Sequence, residues 1–487
     1  MKRERLIAEL DTGGRWKRTT ARRERRVKSE DVVAVHRPAR GRAVRWGGRA
    51  PSGVVTRPWR GASNQVCGLY PFLSADPLPA AGIPLGIDVH AGCTFAYAPA
   101  LWVEHHLVEN PNVLLTGRPG SGKSTAAKLV TLRGAVVGVR TLIAGDLKGE
   151  YNELARWLGV EPTILGGSRV RLNPLDAGPL GRRLPSDATE RQERIAEVHR
   201  RRLVLLTSLA AMAVTRPVTS EEEGALSLVL ERTEAGSRTN RELRDPLIAE
   251  VISELEHVDE GDAKELWFDS LREFRDGLRP VLLGLRGMLD GALGGVFDGA
   301  TTHPLDFDAP IQTVDISRLE ARGEVAVAGV LACLSSWSQA AIDDPDADEK
   351  APSRQLVRDE MWRHLKFPWL TQKVDSDLRL SRKQGVVQFL VTHELGDFDA
   401  AADPETARLI ARKCSIQVTY AQDVPASSKV AEQLGLNATE REMVGTWTAG
   451  QRGRGLWRIG PRRRYVVQTR LHPVEKQLTH TDEMMRV

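Results

Sequence analysis

Short apolar runs alternate with segments of helical periodicity along most of the chain. The apolar runs predict buried β-strands, and they lie at 112–115, 141–144, 163–165, 311–316, 355–358, 386–391 and 416–420. Glycine-bounded strands are predicted at 455–459 and 465–469, and helices at 124–130, 151–158 and 325–341. Strands and helices in this mixture indicate an α/β fold.

A second pattern occupies residues 186–290, where helical spacing replaces the short runs. Apolar positions recur at helical intervals over 189–214, Ser220–Glu223 has the form of a capping box, and further helices are predicted at 241–257 and 263–276. We therefore expect an all-helical insertion between strands of the sheet. Its charges are mixed in sign, which favours a solvated lid or a partner surface over a nucleic-acid groove.

The chain before residue 110 is less regular. Strand patterns at 69–72, 82–88 and 94–97 predict a hairpin that lies against the core. The predicted domain organisation is a basic N-terminal arm or linker at 1–61, a β lead-in at 62–109, a first part of the core at 110–180, the helical insertion at 181–295, and a second part of the core with a C-terminal tail at 296–487.

Positive charge is concentrated near the N-terminus. The net charge of the 487 residues is +5, but residues 1–60 hold 18 Lys and Arg against 6 Asp and Glu, a difference of +12. Such a block is typical of a flexible arm that binds nucleic acid or anionic lipid, and also of a solvated tail. The sequence leaves both interpretations open.

Cysteine usage and hydropathy favour a cytoplasmic protein. Cys67, Cys93, Cys333 and Cys414 have no paired spacing, which argues against a disulfide framework or a zinc site. The most apolar run, Leu203–Val214, is too short to span a membrane, and the N-terminus lacks the apolar stretch of a secretory signal. We expect no integral membrane span, and a place in the cytoplasm or at the inner face of the cell membrane.

A glycine-rich loop, Gly117–Ser124, joins the strand at 112–115 to the helix at 124–130 and matches G-x-x-x-x-G-K-[ST]. Its glycines allow backbone N–H groups to turn inward and form a nest for phosphate oxygens beside a helix N-terminus. Lys123 is expected to reach the β- and γ-phosphates, and the Ser124 hydroxyl to hold Mg²⁺. The predicted nucleotide-binding residues are Gly117, Arg118, Pro119, Gly120, Ser121, Gly122, Lys123, Ser124 and Thr125. The loop predicts a nucleoside triphosphate and Mg²⁺ as ligands.

Carboxylates follow two other predicted strands. Asp359 and Glu360 end the strand at 355–358. Such a pair beside the strand of the glycine loop combines metal anchoring with proton acceptance, although an acidic pair at a helix N-terminus has the same pattern. Asp146 and Glu150 follow the strand at 141–144, and they are candidates either for nucleotide or metal contact or for a capped turn.

In this order, the motifs resemble those of the TraC-like ATPases of conjugation and type IV secretion, in the HerA–FtsK superfamily of RecA-like motors. The matching segments are LYPF…GIPLGIDVHAG, NPNVLLTGRPGSGKS, GDLKGEY, RLNPLD, GGVFDGATTHPLDFDAPIQTVDIS, RDEMW, GLWRIG and a THTDE end. The resemblance implies a RecA-like P-loop core that hydrolyses ATP in a ring, expected to be a hexamer. It also implies that Asp359 organises Mg²⁺ through water and that Glu360 polarises the attacking water.

Two further residues take their candidate roles from the resemblance. His393 stands where the family usually has a glutamine that senses the γ-phosphate, so it is either a sensor or a core histidine. Motors of this type also use an arginine of the neighbouring subunit to stabilise charge on the γ-phosphate. Arg382, on the helix before the strand at 386–391, is the chosen candidate, with alternatives at Arg379, Arg412 and Arg452.

The leading hypothesis is an ATP-hydrolysing motor that powers conjugative transfer or type IV secretion of DNA or protein. Its expected partners are copies of itself, components of the transfer channel, and DNA through the basic segments. The alternative is a DNA-translocating pump or coupling protein, in which the arm at 1–60 contacts phosphates together with Arg452, Arg454, Arg458, Arg462, Arg463 and Arg464. A third hypothesis is a nucleotide-gated scaffold with little turnover.

Overall fold

The structure is a computed structural model that describes residues 42–44, 48–50, 78–79, 81–167, 169–182, 184–235, 243–343, 354–393, 396–422, 432–447 and 451–480. The chain forms two units, residues 1–72 and 73–487. In the first unit, β1 (Arg42–Val44) pairs antiparallel with β2 (Gly48–Ala50). The rest of the basic arm and the strand predicted at 69–72 lie outside the described residues.

In the described part of the second unit, eleven strands form one sheet in the order β4-β3-β13-β12-β11-β5-β10-β9-β6-β8-β7. The strands are β3 (Ile83–Asp88), β4 (Thr94–Tyr97), β5 (Val113–Thr116), β6 (Arg140–Asp146), β7 (Thr163–Ile164), β8 (Ile311–Asp315), β9 (Arg354–Arg358), β10 (Val386–Val391), β11 (Ile416–Thr419), β12 (Arg454–Ile459) and β13 (Arg463–Thr469). Strands β11 to β7 run parallel, and β12 to β4 are antiparallel to their neighbours.

Helices flank the sheet and fill the predicted insertion. They are α1 (Pro99–Glu104), α2 (Lys123–Val136), α3 (Asn152–Trp157), α4 (Pro179–Arg182), α5 (Ala188–Val214), α6 (Ser220–Ala235), α7 (Ile248–Glu256), α8 (Glu260–Glu265), α9 (Leu271–Asp290), α10 (Glu324–Ile342), α11 (Trp362–Leu365), α12 (Pro368–Gln384), α13 (Gly396–Asp399), α14 (Pro404–Lys413), α15 (Ala438–Glu442) and α16 (Pro473–Thr479). A 3-10 helix covers Ser317–Arg322 and a π-helical turn covers Met443–Trp447.

Strand β5 shows why the parallel strands are apolar throughout. Val113 and Leu115 pack into one hydrophobic cluster and Leu114 into another, because successive side chains of a strand point to opposite faces and both faces of the sheet are covered. Phe389 of β10 pairs with Val113 on one side and with Val357 of β9 on the other. This register brings the carboxyl ends of the three strands to the same edge of the sheet.

The insertion is helical from α5 to α9, and its apolar side chains share one core with α10. The single helix predicted at 263–276 is wrong. Helix α8 ends at Glu265, Trp267 has a left-handed φ of 65°, and α9 begins only after Ser270, whose side chain caps it. No glycine or proline marks this break, so the helical spacing of the apolar residues concealed it.

Helix α10 is a longer apolar segment than the run at Leu203–Val214. Its 19 residues are long and apolar enough to cross a membrane, but 78% of its apolar window is buried inside the protein. The helix packs against β6 and the insertion. Its apolar character is therefore that of a core helix.

The predicted hairpin at 82–88 and 94–97 is confirmed as β3 and β4, and β3 extends the sheet by pairing with β13. Phe95 of β4 places its ring centroid 4.9 Å from that of Trp457 and 5.7 Å from that of Tyr465. The hydroxyl of Tyr97 donates to Gln355 at 3.2 Å. The lead-in therefore belongs to the aromatic core of the sheet.

Removal of the Phe95 ring should destabilise the second unit. We expect Phe95→Ala to lower the free energy of unfolding by about 3–5 kcal/mol, because a buried aromatic side chain leaves a cavity when it is truncated. Denaturant unfolding, followed by tryptophan fluorescence, measures the effect. The control is Val136→Ala, at a side chain that is 80% exposed, where a change within about 0.5 kcal/mol is expected. An equal effect of the two substitutions would contradict the assignment of the lead-in to the core.

Candidate functional site

The glycine loop lies at the carboxyl end of β5 and leads directly into α2. Gly117, Gly120 and Gly122 all have positive φ, of 157°, 73° and 111°. A Cβ at Gly117 would lie 2.6 Å from the Cβ of Tyr420, and one at Gly122 would lie 2.9 Å from the neighbouring backbone of Gly453. The loop therefore needs glycine both for its conformation and for its close packing.

Lys123 points back into this loop. Its ammonium donates to the backbone oxygens of Gly117 and Arg118, the latter at 3.0 Å, and lies 3.2 Å from Nδ1 of His393. Burial lowers the pKa of Lys123 to about 8, although the charges of Asp359 and Glu360 act to raise it. A cation under this desolvation cost gains from an anionic ligand.

The remaining loop positions are arranged around this cation. Pro119 and Gly120 are exposed at the tip, and Ser124 and Thr125 are half-buried in the first turn of α2. The hydroxyl oxygen of Ser121 is buried and has no hydrogen-bond partner among the described residues. A buried hydroxyl without a partner, in a glycine loop that carries a lysine and leads into a helix N-terminus, fits a phosphate group.

Asp359 and Glu360 lie in the turn that follows β9, and the second carboxylate is held by unusual backbone geometry. Glu360 has a left-handed φ of 54°, which costs a non-glycine residue on the order of 1 kcal/mol. The N–H of Met361 donates to the backbone oxygen of Val391 at 2.8 Å and ties the turn to the end of β10. The strained turn therefore directs Glu360 toward the residues at the ends of β10 and β6.

Three side chains donate to the carboxylate of Glu360. The ammonium of Lys148 pairs with Oε1, the indole N–H of Trp362 donates to Oε2 at 2.7 Å, and Nε2 of His393 lies 2.9 Å from Oε2. Burial alone would raise the pKa of Glu360, but the hydrogen bonds from His393 and Lys148 outweigh it and lower the pKa to about 2. The indole of Trp362 therefore helps to hold this carboxylate in place.

His393 bridges the glycine loop and Glu360. Its Nδ1 faces the ammonium of Lys123 and its Nε2 faces a carboxylate. The contacts match a neutral imidazole whose Nδ1 accepts from Lys123 and whose Nε2–H donates to Glu360, a tautomer assigned from these partners. The structure therefore places His393 inside the site rather than in the hydrophobic core.

Asp359 is a half-buried carboxylate without a cationic hydrogen-bond partner among the described residues. Its oxygens accept from the Tyr151 hydroxyl at 3.0 Å and from the N–H of Glu360 at 2.9 Å. Burial, together with the nearby charges of Glu360 and Glu150, raises its pKa to about 6. Such a group fits a divalent cation. The described residues contain no cluster of three or more His, Cys, Asp or Glu that could hold a metal alone, and a P-loop site draws its other ligands from the nucleotide and water.

Sequence reasoning missed two residues of this site, Lys148 and Tyr151. Both lie on the loop after β6, which is the neighbour of β9 in the sheet. The two carboxylates proposed for this loop have other contacts. Asp146 accepts from the N–H groups of Lys148 and Tyr151 and so caps the turn, and Glu150 pairs with the buried ammonium of Lys128 at 3.2 Å. The contacts of Asp146 match the capped turn that was one of its two predicted roles.

Arg382 does not lie near the glycine loop of its own chain. It is exposed near the C-terminal end of α12, about 20 Å along the helix axis from Pro368. Helix α12 leads into the amino end of β10. The glycine loop follows the carboxyl end of β5, which is parallel to β10, so the loop lies at the opposite edge of the sheet. Arg382 lines a cavity of about 530 Å³ with Arg412. By contrast with that of Arg382, the guanidinium of Arg379 forms an ion pair within the chain, with Asp375 at 2.8 Å.

The other arginines proposed to act across the subunit boundary or to contact DNA lie on or beside the hairpin of β12 and β13. Arg452 precedes Gly453, whose N–H donates to Ser121 in the glycine loop at 2.9 Å. Arg454 donates to Gln468 and Gln451, Arg458 to Gln417, and Arg464 to Glu440. Arg452 and Arg454 therefore lie at the end of the hairpin nearest the glycine loop, and Arg458 and Arg464 lie toward its other end.

The geometry can be compared with that of known proteins. No protein-family model and no curated protein sequence matches the chain. Among solved structures, VirB4 of Thermoanaerobacter pseudethanolicus gives a TM-score of 0.63 at 20% identity, over 82% of this chain and 99% of that chain. The unbound bacterial conjugative coupling protein TrwB gives 0.52 at 13% identity, over 81% and 90%.

The plasmid coupling protein TrwB in complex with ADP and Mg²⁺ gives a TM-score of 0.52 at 12% identity, over 83% of this chain and 93% of that chain. Identities this low support a statement about the fold. The predicted α/β class, with a P-loop core and an all-helical insertion, is confirmed. The chain therefore has the RecA-like P-loop NTPase fold of the structural class that includes VirB4 and TrwB.

Proposed function

We propose that the chain is an ATP-hydrolysing motor of a conjugative transfer or type IV secretion machine and that it works as a ring, expected to be a hexamer. The observation that carries the proposal is the convergence of Lys123, Asp359, Glu360 and His393 at one edge of the sheet. A phosphate-binding loop, a metal-binding acid and a proton acceptor are the parts that phosphoanhydride hydrolysis requires. The structural likeness to VirB4 and TrwB supports this interpretation.

ATP and Mg²⁺ are the ligands that the site fits. The loop from Gly117 to Thr125 would hold the phosphates, with Lys123 against the β- and γ-phosphates. Ser124 and Asp359 would hold Mg²⁺, which supplies charge neutralisation at the phosphate oxygens. TrwB has been solved with ADP and Mg²⁺, and that supports the same pair of ligands here.

In the reaction, the oxygen of a water molecule attacks the γ-phosphorus while Glu360 accepts a proton from that water. The bond between the γ-phosphorus and the β–γ bridging oxygen breaks, and ADP and inorganic phosphate leave. His393 would report the γ-phosphate to Glu360, because it contacts both Glu360 and Lys123. Three donors occupy most of the roughly four acceptor positions of this carboxylate, and the loss of one of them would make Glu360 a stronger proton acceptor.

In a ring, a neighbouring subunit would supply each site with an arginine. Arg382 lies too far from its own glycine loop, and its guanidinium makes no hydrogen bond or ion pair within the described part of the chain, whereas that of Arg379 pairs with Asp375. Across a subunit boundary, Arg382 can face the γ-phosphate of a neighbour. Transfer-channel components, and DNA through the basic segments, would be the further partners, with the cytoplasm or the inner face of the membrane as the place of action.

Replacement of the proton acceptor should stop turnover without loss of nucleotide binding. We expect Glu360→Gln to lower the hydrolysis rate by roughly 10²–10⁴-fold, because the amide cannot accept the proton. Phosphate release by purified protein measures the rate, and binding of an ATP analogue serves as the control. Comparable rates for the two proteins would remove Glu360 from the mechanism. No hydrolysis by the wild-type protein, even with DNA and partners, would support the scaffold hypothesis.

The arginine assignment predicts complementation between two inactive variants. Arg382→Ala should lower hydrolysis about 10³-fold or more, and Arg379→Ala, the matched control, should stay near the wild-type rate. A mixture of Arg382→Ala and Glu360→Gln subunits should regain activity, because one variant supplies an intact acid and the other an intact arginine. A mixture as inactive as its components would exclude action of Arg382 across the boundary.

Asp359 should make Mg²⁺-dependent binding sensitive to acid. Its pKa of about 6 is raised by burial and by the charges of Glu360 and Glu150, so the carboxylate is ionised above this pH and neutral below it. We expect Mg²⁺-dependent ATP affinity to fall as the pH drops below about 6, by up to tenfold per pH unit. Titrations with and without Mg²⁺ measure the effect. Asp359→Asn should bind ATP with Mg²⁺ weakly at every pH. A wild-type affinity for ATP and Mg²⁺ that does not depend on pH would refute the assignment of Asp359 as a metal-binding residue.

A further inference from the structure

Lys148 and Glu360 form an ion pair in which the cation is exposed and the carboxylate is buried. Its backbone N–H donates to Asp146 at 3.2 Å, which anchors the base of the residue, while 52% of its side chain is exposed. The side chain of its partner Glu360 is only 9% exposed and also accepts from Trp362 and His393. The ammonium of Lys148 can therefore leave the ion pair while the carboxylate stays in place.

The same ammonium faces the phosphate site. After burial, the charge of Lys148 is among the causes that lower the pKa of Lys123, and the charges of Glu360, Glu150 and Asp359 act on Lys148 in turn. The two lysines thus act on a common space at the carboxyl ends of β5, β6 and β9. A terminal phosphate held by Lys123 would add roughly two negative charges to that space. The carboxylate of Glu360 carries only one.

We propose that Lys148 is a γ-phosphate-binding residue that exchanges partners, holding Glu360 before a triphosphate binds and contacting the γ-phosphate afterwards. The exchange frees one oxygen of Glu360 for the attacking water. A diphosphate lacks the group that attracts the ammonium, so with ADP the ion pair to Glu360 persists. The release of Glu360 rests on the proposed function, whereas the contact between Lys148 and phosphate rests on the geometry alone.

Comparison of a triphosphate analogue with ADP tests the contact. Lys148→Met should weaken binding of non-hydrolysable ATP with Mg²⁺ by roughly tenfold or more, the range of a lost charge-assisted hydrogen bond, and should change ADP affinity by less than about twofold. Lys148→Arg should retain most of the preference, because it keeps the charge. The matched control is Lys413→Met, which breaks an ion pair with Asp375 and should change neither affinity.

A double-substitution cycle tests the exchange itself. Glu360→Gln removes the competing charge, so it should tighten analogue binding by roughly two- to fivefold, the range of a partly exposed ion pair. The same substitution in a Lys148→Met background should give no gain. Thermal unfolding without nucleotide confirms that each variant is folded, and Lys148→Gln provides a second neutral variant.

Three results would overturn the proposal: equal losses of analogue and ADP affinity in Lys148→Met, no loss of either affinity in that variant, or a gain from Glu360→Gln that persists without Lys148. These measurements need binding alone. If they come out as expected but the wild-type protein hydrolyses no ATP, the proposed motor function fails while the Lys148 contact stands. If the wild-type protein hydrolyses ATP but the cycle shows no coupling, the Lys148 proposal fails while the proposed motor function stands.

Discussion

The buried carboxylate of Glu360 is the constraint on which the arrangement of the site depends. An ionised carboxylate in a low-dielectric site is costly unless donors surround it. Here the donors come from three separate segments, with Lys148 after β6, Trp362 on α11 and His393 after β10. They meet because β6, β9 and β10 are adjacent and parallel. The strand order therefore determines the electrostatics of the site.

A second buried charge links this site to the opposite edge of the sheet. Arg358, the residue before Asp359, is fully buried and pairs with Asp377 of α12 and with Gln388 of β10. Movement of α12 away from β9 would break this ion pair, and an unpaired buried charge costs about 3–5 kcal/mol. The strand that ends in the acidic pair and the helix that carries Arg382 therefore move together. In a ring, this link would join the arginine offered to one neighbour with the acids of the chain's own site.

Local features of the fold could be predicted from the sequence, and features that depend on strand order could not. The loop at Gly117–Ser124 lies where it was expected, because its flanking strand and helix are contiguous in the chain. The location of Asp359 and Glu360 at a strand end was likewise a local inference. The roles of Lys148 and Tyr151 depend on β6 lying beside β9. Lys148 is 212 positions from Glu360 in the chain and Tyr151 is 208 positions from Asp359, and no periodicity encodes that adjacency.

The replacement of the expected glutamine by His393 follows from the same electrostatics. A glutamine side chain accepts through its oxygen and donates through its nitrogen, and a neutral imidazole does the same through two ring nitrogens. The structure uses both capacities, since Nδ1 faces Lys123 and Nε2 faces Glu360. The imidazolium would offer Lys123 no lone pair and would add a second cation beside it. The bridge between loop and carboxylate therefore requires the neutral form of His393, a restriction that a glutamine does not carry.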